Sequence, residues 1–285
     1  MRRLSLVIWA GVLFVASAES RGGDRLFATH CSIWGSSKIT ELDPQTGAVL
    51  NSYAPPASPN QNAGLAFDGS HLYYLPGPSA VYSTVYKLNP DTGAVVGQYH
   101  LPDNPYRSGL ATMGDCLYTN DWRSSHNDIE VYDLATGAFV RAIDFHKANP
   151  AESNLMIDAD LGEFGPRNRL LAIAHPVGSF AQTQILGLDP LTGVIRDRFS
   201  MEDADAVYAA KGLAAIGEET YVSLHVSRDY KQVIVYGRDG TEHRRFGIAG
   251  STGIQALAST HAVPEPASVM ALAAGLVMLW GRRRR

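Results

Sequence analysis

The chain has 285 residues, 45% of them hydrophobic and 18% charged, with a formal net charge of −4. Setting aside the terminal arginines (Arg2, Arg3 and residues 282–285) and Glu265 takes that charge from −4 to −9. So acidic a body excludes a nucleic-acid binder, which needs a basic face for phosphates.

Residues 1–18 read as a signal peptide. Arg2 and Arg3 precede an apolar run from Leu4 to Ala16, and Ala16 and Ala18 form a small-x-small site, with cleavage expected after Ala18. The chain is therefore expected to leave the cytoplasm through the Sec machinery. Outside the cytoplasm disulfides form, so Cys31 and Cys116 are either a pair or two buried thiols; they lack metal-ligand spacing.

Residues 19–262 carry an internal repeat. The segment Asp43-Pro44-Gln45-Thr46-Gly47 returns as Asn89-Pro90-Asp91-Thr92-Gly93, Asp133-Leu134-Ala135-Thr136-Gly137 and Asp189-Pro190-Leu191-Thr192-Gly193, with a weaker copy ending at Gly240. The glycines stand 46, 44, 56 and 47 positions apart, the length of one four-stranded propeller blade. Each copy joins two runs of alternating apolar residues, so it reads as a hairpin: Asp or Asn caps the turn, Pro presets φ, and Gly takes the left-handed position. A second unit precedes the hairpins, beginning Gly64-Leu65-Ala66, Gly109-Leu110-Ala111 and Gly212-Leu213-Ala214. It supplies two more strands per blade, giving strands A to D. Residues 253–258 are then a strand A without a blade after it, and residues 25–30 a strand B without a strand A before it. Their pairing closes the ring and removes its free edges.

The expected fold is thus an all-β propeller of five blades. A sixth blade is the alternative, because the long third interval has room for a divergent element at residues 158–168. Such turns resemble those of quinoprotein-like propellers, a likeness of architecture that carries no activity with it.

The chain ends with Pro264-Glu265-Pro266, an apolar run to Gly281, and four arginines. The prolines keep the first part extended. The run is shorter than the roughly 20 residues of a comfortable membrane span, but Trp280 and snorkelling arginines extend its reach, and the arginines favour the cytoplasmic side. This order of parts resembles the PEP-CTERM sorting signal over residues 263–285. The resemblance implies a membrane-anchored precursor, cleavage near Pro-Glu-Pro by an exosortase, and delivery to the surface of an exopolysaccharide-producing bacterium. It says nothing of the cargo's activity.

Candidate site residues lie at the ends of the B strands and in the B–C and D–A loops. His30, Asn120, His175 and His225 occupy equivalent B-strand ends, with Leu75 breaking the series. Imidazole is a common metal ligand, so they are candidates for a divalent metal, although no cofactor is required by the sequence. Trp34, Tyr106, Arg107, Trp122, Arg123, Phe180, Arg228 and Tyr230 offer stacking and planar hydrogen bonding to a glycan or peptide. Glu202, Asp203 and Asp205 are oxygen donors of the kind calcium takes. No nucleophile elbow, phosphate loop or metalloprotease motif is present. The reading is a binding module for polysaccharide or surface protein; the alternative is a propeller enzyme of lyase or cyclotransferase type with a metal-assisted site on those loops.

Overall fold

The computed structural model describes residues 24–30, 37–59, 63–77, 83–102, 107–121, 127–164, 168–178, 183–201, 210–226, 230–248 and 253–259, without the side chains of 158–160, 164, 225, 226, 230 and 231. The signal peptide, the 263–285 tail with Pro264, Glu265 and Pro266, and Cys31 lie outside the described residues. Among the described residues, no helix is long and apolar enough to cross a membrane.

Five antiparallel sheets of four strands make a β-propeller. In the second blade β4 (Gly64–Phe67), β5 (Leu72–Leu75), β6 (Ser83–Leu88) and β7 (Val95–Leu101) run from the axis outward as strands A, B, C and D. The third blade is β8 (Arg107–Met113), β9 (Cys116–Asp121), β10 (Asp128–Asp133) and β11 (Phe139–Asp144). The fourth is β12 (Leu155–Phe164), β13 (Arg169–Pro176), β14 (Gln184–Leu188) and β15 (Ile195–Ser200), and the fifth β16 (Ala210–Ile216), β17 (Glu219–Val226), β18 (Tyr230–Tyr236) and β19 (Glu242–Gly247).

The first blade is composite. Its A strand, β20 (Ile254–Ser259), pairs with β1 (Leu26–His30), which continues through β2 (Lys38–Leu42) to β3 (Val49–Tyr53). Leu26 stands opposite Ser259 and Ala28 opposite Leu257, so the ring closes as the unmatched strands at its two ends require. The sixth-blade alternative is corrected. The extra length of the third interval is spent on a short helix, α1 (Phe145–Ala148), a 3₁₀ turn at Pro150–Glu152, and a ten-residue A strand bulged between Ile157 and Leu161. Asn149 docks that insertion: its amide donates to the Gly193 carbonyl and its side-chain oxygen accepts from the Ile195 amide.

The repeated turns join blades as well as strands. In the first, Asp43 Oδ1 accepts from the amides of Gln45 and Thr46 and from the Thr46 hydroxyl, while the Gly47 amide bonds to the Asp43 carbonyl. That closure spans one residue more than a simple type I turn, and it ends on Gly47 at φ +71°. Each turn then sits on the D strand of the preceding blade. A Cβ on Gly47 would lie 2.1 Å from the Phe246 ring, on Gly93 2.2 Å from Tyr53, on Gly137 2.5 Å from Tyr99, on Gly193 2.4 Å from Ile143 and on Gly240 2.9 Å from Phe199. The one glycine serves both the left-handed backbone and the close approach between blades. Arg244 on β19 crosses the closing seam in the same place, donating to the Pro44 carbonyl at 3.1 Å.

Candidate functional site

This connectivity divides the ring into two faces. The A–B and C–D turns form a turn face, and the B–C and D–A connections form a loop face. Buried polar residues gather at the loop-face ends of the strands: Thr29 and His30 on β1, Ser108 on β8, Thr119 and Asn120 on β9, His175 on β13, Ser223 on β17 and Gln255 on β20. Apolar clusters between blades fill the rest of the seams.

Some of these groups bond to one another. Ser108 Oγ donates to Asn120 Oδ1 at 3.2 Å, and Thr119 Oγ1 donates to the Ser108 carbonyl at 3.0 Å. The His175 Nδ1–H donates to the Pro176 carbonyl at 3.0 Å, which leaves the lone pair of the neutral ring on Nε2. Others are unmatched: Thr29 Oγ1, Asn120 Nδ2, Gln184 Oε1 and Gln255 Oε1 are buried without a hydrogen-bond partner among the described residues. Gln255 owes its position to a bulge, since Thr29 pairs with Ala256 and His30 with Ile254. The Tyr53 and Tyr99 hydroxyls and Arg244 Nε, in the seams between blades, are buried and unmatched as well, but the four at the strand ends share one face, and buried polar atoms are nearly always satisfied in folded proteins.

His30, Asn120, His175 and the backbone of His225 do stand at the loop-face ends of the B strands, with Leu75 closing β5. Among the described residues, no three His, Cys, Asp or Glu side chains come together closely enough to hold a metal ion. The B strand is second from the axis, which separates equivalent positions of different blades. Arg107 differs from expectation. It opens strand β8 instead of lying in a loop, it is 1% exposed, and its guanidinium is held inside the blade. Nε donates to Glu130 Oε2 at 2.8 Å, Nη1 to the Pro102 carbonyl at 2.9 Å and Nη2 to the Tyr132 hydroxyl at 2.9 Å. Tyr230 begins β18, without a described side chain. Trp34, Tyr106, Trp122, Arg123, Phe180, Arg228, Glu202, Asp203 and Asp205 lie outside the described residues. Cys116 is a half-buried free thiol.

Sequence reasoning passed over Glu163. It lies on β12 near the turn-face end of the axis, in a well lined by all five A strands, including Phe67, Thr112, Ala214 and Ser259. Thr112 Oγ1 donates to the Phe67 carbonyl and Ser259 Oγ to the Ala215 carbonyl, so hydroxyls tie neighbouring A strands together around it. Among the described residues the Glu163 carboxyl accepts no hydrogen bond. Burial, and secondarily the charge of Asp68, pushes its pKa up to about 7. The turn aspartates go the other way: hydrogen bonds from Thr46 hold Asp43 below the usual carboxylate range, and those from Thr136 do the same for Asp133.

No family model matches the sequence, and no curated protein matches it. Among solved structures, a chain of the nidogen/laminin complex is similar in fold, with a TM-score of 0.51 and 14% identity over 84% of this chain and 99% of that one. The glutaminyl cyclase of Myxococcus xanthus aligns with a TM-score of 0.48 at 14% identity, covering 74% of this chain and 82% of its own. A europium-containing methanol dehydrogenase aligns with a TM-score of 0.37 at 12% identity, covering 70% of this chain and 43% of its own. At such identities the likeness is one of fold alone.

Proposed function

We propose that this protein is an exported propeller, delivered to the cell surface by its C-terminal sorting signal, that binds extracellular polysaccharide or a surface protein through its loop face. The observation that carries the reading is the set of buried, unmatched polar atoms at that face, Thr29 Oγ1, Asn120 Nδ2, Gln184 Oε1 and Gln255 Oε1. An unpaired buried polar group costs about 1–3 kcal/mol, and a polar ligand offsets that cost by supplying the missing partner. In sequence, the B–C and D–A connections carry Trp34, Tyr106, Trp122, Arg123 and Arg228, and Tyr230 begins β18, a set suited to stacking and planar hydrogen bonding.

Chain connectivity supports the same orientation. Leu26 pairs with Ser259, so the chain enters and leaves the propeller side by side on the turn face. A tether at residues 263–285 holds that face toward the membrane or envelope and leaves the loop face outward. The sorting signal implies an exosortase as processing partner and a membrane-anchored precursor.

Two measurements test the proposal. Binding of the purified protein to an array of bacterial exopolysaccharides and envelope proteins should be lost in Trp34→Ala or Trp122→Ala; full retention by both variants overturns the loop-face reading. Deleting residues 264–285 should send the propeller to the periplasm or medium with its fold intact, and wild-type surface levels after the deletion overturn the sorting reading.

A further inference from the structure

Four of the five seams between blades are closed in one way, and the fifth is not. The strand-B residue paired with the strand-C position two before the turn-capping residue faces the next blade, and in four blades it is aromatic: Phe27, Tyr73, Tyr118 and Tyr221. Opposite it on strand C stand Glu41, Lys87, Val131 and Val235. A cation then covers the ring in three of these seams: the Arg25 guanidinium lies 4.9 Å from the centre of Phe27, the Lys87 ammonium 5.7 Å from Tyr73, and the Arg244 guanidinium 5.7 Å from Tyr221. In the fourth blade the equivalent pair is Leu171 and Gly187. Both are smaller, and strand D offers Asp197 in place of a covering cation.

A cleft opens there, between the fourth and fifth blades on the turn face, enclosing about 430 Å³ including space open to solvent. Its floor is apolar, made by Leu171, Ile185 and Phe199. The Phe199 ring lies 5.7 Å from that of Tyr236, tilted 47° to it, and its Cβ packs under Gly240. Three arginines stand at the rim against two carboxylates, on a chain that is acidic as a whole. Arg169 is 3.3 Å from Asp197 and Arg198 is 2.6 Å from Glu152. Arg238, from the C–D turn of the fifth blade, is exposed and makes no ion pair among the described residues.

We propose that this cleft is a second binding site, independent of the loop face, for a small organic carboxylate with an apolar body. The body lies against Leu171, Ile185 and Phe199, in the space that Gly187 leaves, and the carboxylate pairs with Arg238. An apolar floor with few polar anchors at the mouth is the usual composition of small-ligand pockets, and the guanidinium fork suits a carboxylate.

Hexanoate and phenylacetate are the probes, titrated calorimetrically into the full protein, with 1-hexanol as the uncharged control. Saturable binding of at least one acid at one site is expected. Arg238→Ala should weaken it about tenfold while leaving hexanol unchanged. Gly187→Val places in the cleft the residue that the third and fifth blades carry; the nearest neighbour of its new Cβ would be Asp197, at 3.3 Å, whose exposed side chain must shift slightly. That variant should abolish binding while unfolding at the same temperature as the parent or a higher one, and Leu171→Tyr, which restores the aromatic of three other blades, should do likewise. Absence of saturable binding of both acids at millimolar concentration overturns the proposal, and so does undiminished binding in both filled variants.

Discussion

If the repeated turns join blades as well as strands, alanine in place of a turn glycine must cost more where a neighbouring blade lies against it than where nothing does. Gly93→Ala tests this. Its φ of +70° costs alanine about 1 kcal/mol relative to glycine. The added Cβ would also sit 2.2 Å from Tyr53 Cδ2 and 2.4 Å from Tyr53 Cγ, so the first and second blades must separate or Tyr53 must turn, an overpacking penalty of about 1–3 kcal/mol. The total is about 2–4 kcal/mol. Gly114→Ala is the control: its φ is +56° and nothing lies within 4 Å of the new methyl, so it should lose only about 1 kcal/mol. Urea unfolding of both variants, with unchanged m-values, measures the difference. Adding Tyr53→Ala to each should leave the Gly114 cost as it was and reduce the Gly93 cost by about 1 kcal/mol or more, a coupling that independent sites lack. Equal costs for the two glycines, to within about 0.5 kcal/mol, would refute the role of the turn in joining blades.

Three other perturbations have defined outcomes. Arg107→Ala removes the buried cation from Glu130, which keeps its bond from the Tyr132 hydroxyl, and should cost about 3 kcal/mol in urea unfolding, with Arg107→Lys recovering only part because a lysine cannot make all three bonds at once. The Glu163 carboxyl is raised to about 7 from an ordinary 4.5, so the folded state holds its proton more tightly than the unfolded one; stability should fall as pH rises from about 4.5 to about 7 and then level off. Glu163→Gln should remove that slope and raise stability at pH 8 by on the order of 2 kcal/mol, read from urea midpoints at pH 5 and 8. The Glu219 carboxyl is held near 2 chiefly by hydrogen bonds from Arg244, against some desolvation, so its contribution is present above the ordinary carboxyl range and lost as pH falls toward about 2; Glu219→Gln should flatten the acid limb of the unfolding profile.

The features legible in the sequence are those set by local chemistry and by period. The turn from Asp43 to Gly47 carries its capping carboxylate and left-handed glycine in five residues, and four near copies at blade spacing define the array. The unmatched strand at 253–258 implies the closure seen between β20 and β1. Where local signals give way to register, the reading falters. Arg107 reads from sequence as a loop side chain because nothing local separates the end of a D–A connection from the start of β8, and its partners Glu130 and Tyr132 lie 23 and 25 residues away. Residues 158–168 read as a divergent element because the third interval, 56 residues, is the longest, and that reading hid Glu163 on the bulged A strand β12. The open seam at Gly187 needed strands B, C and D of every blade aligned against one another before a small residue there had any meaning.

Repetition gives this molecule an internal standard. Five near-equivalent blades must close five near-equivalent seams, so each seam reports what the others need for closure. Phe27, Tyr73, Tyr118 and Tyr221 show that need to be an aromatic packed against a longer strand-C side chain. A seam carrying Leu171 and Gly187 forgoes the dispersion contacts that the other four make, although the nearest neighbour of a side chain at position 187 is the exposed Asp197. A deficit that is easily repaired, retained in one blade alone and bordered by three arginines on an acidic chain, fits the general trade of stability for a binding surface. The same comparison gives the loop face its weight. The unmatched polar atoms there sit at strand ends of the first, third and fourth blades, where the repeat itself imposes no polar residue, so the ring does not need them to close.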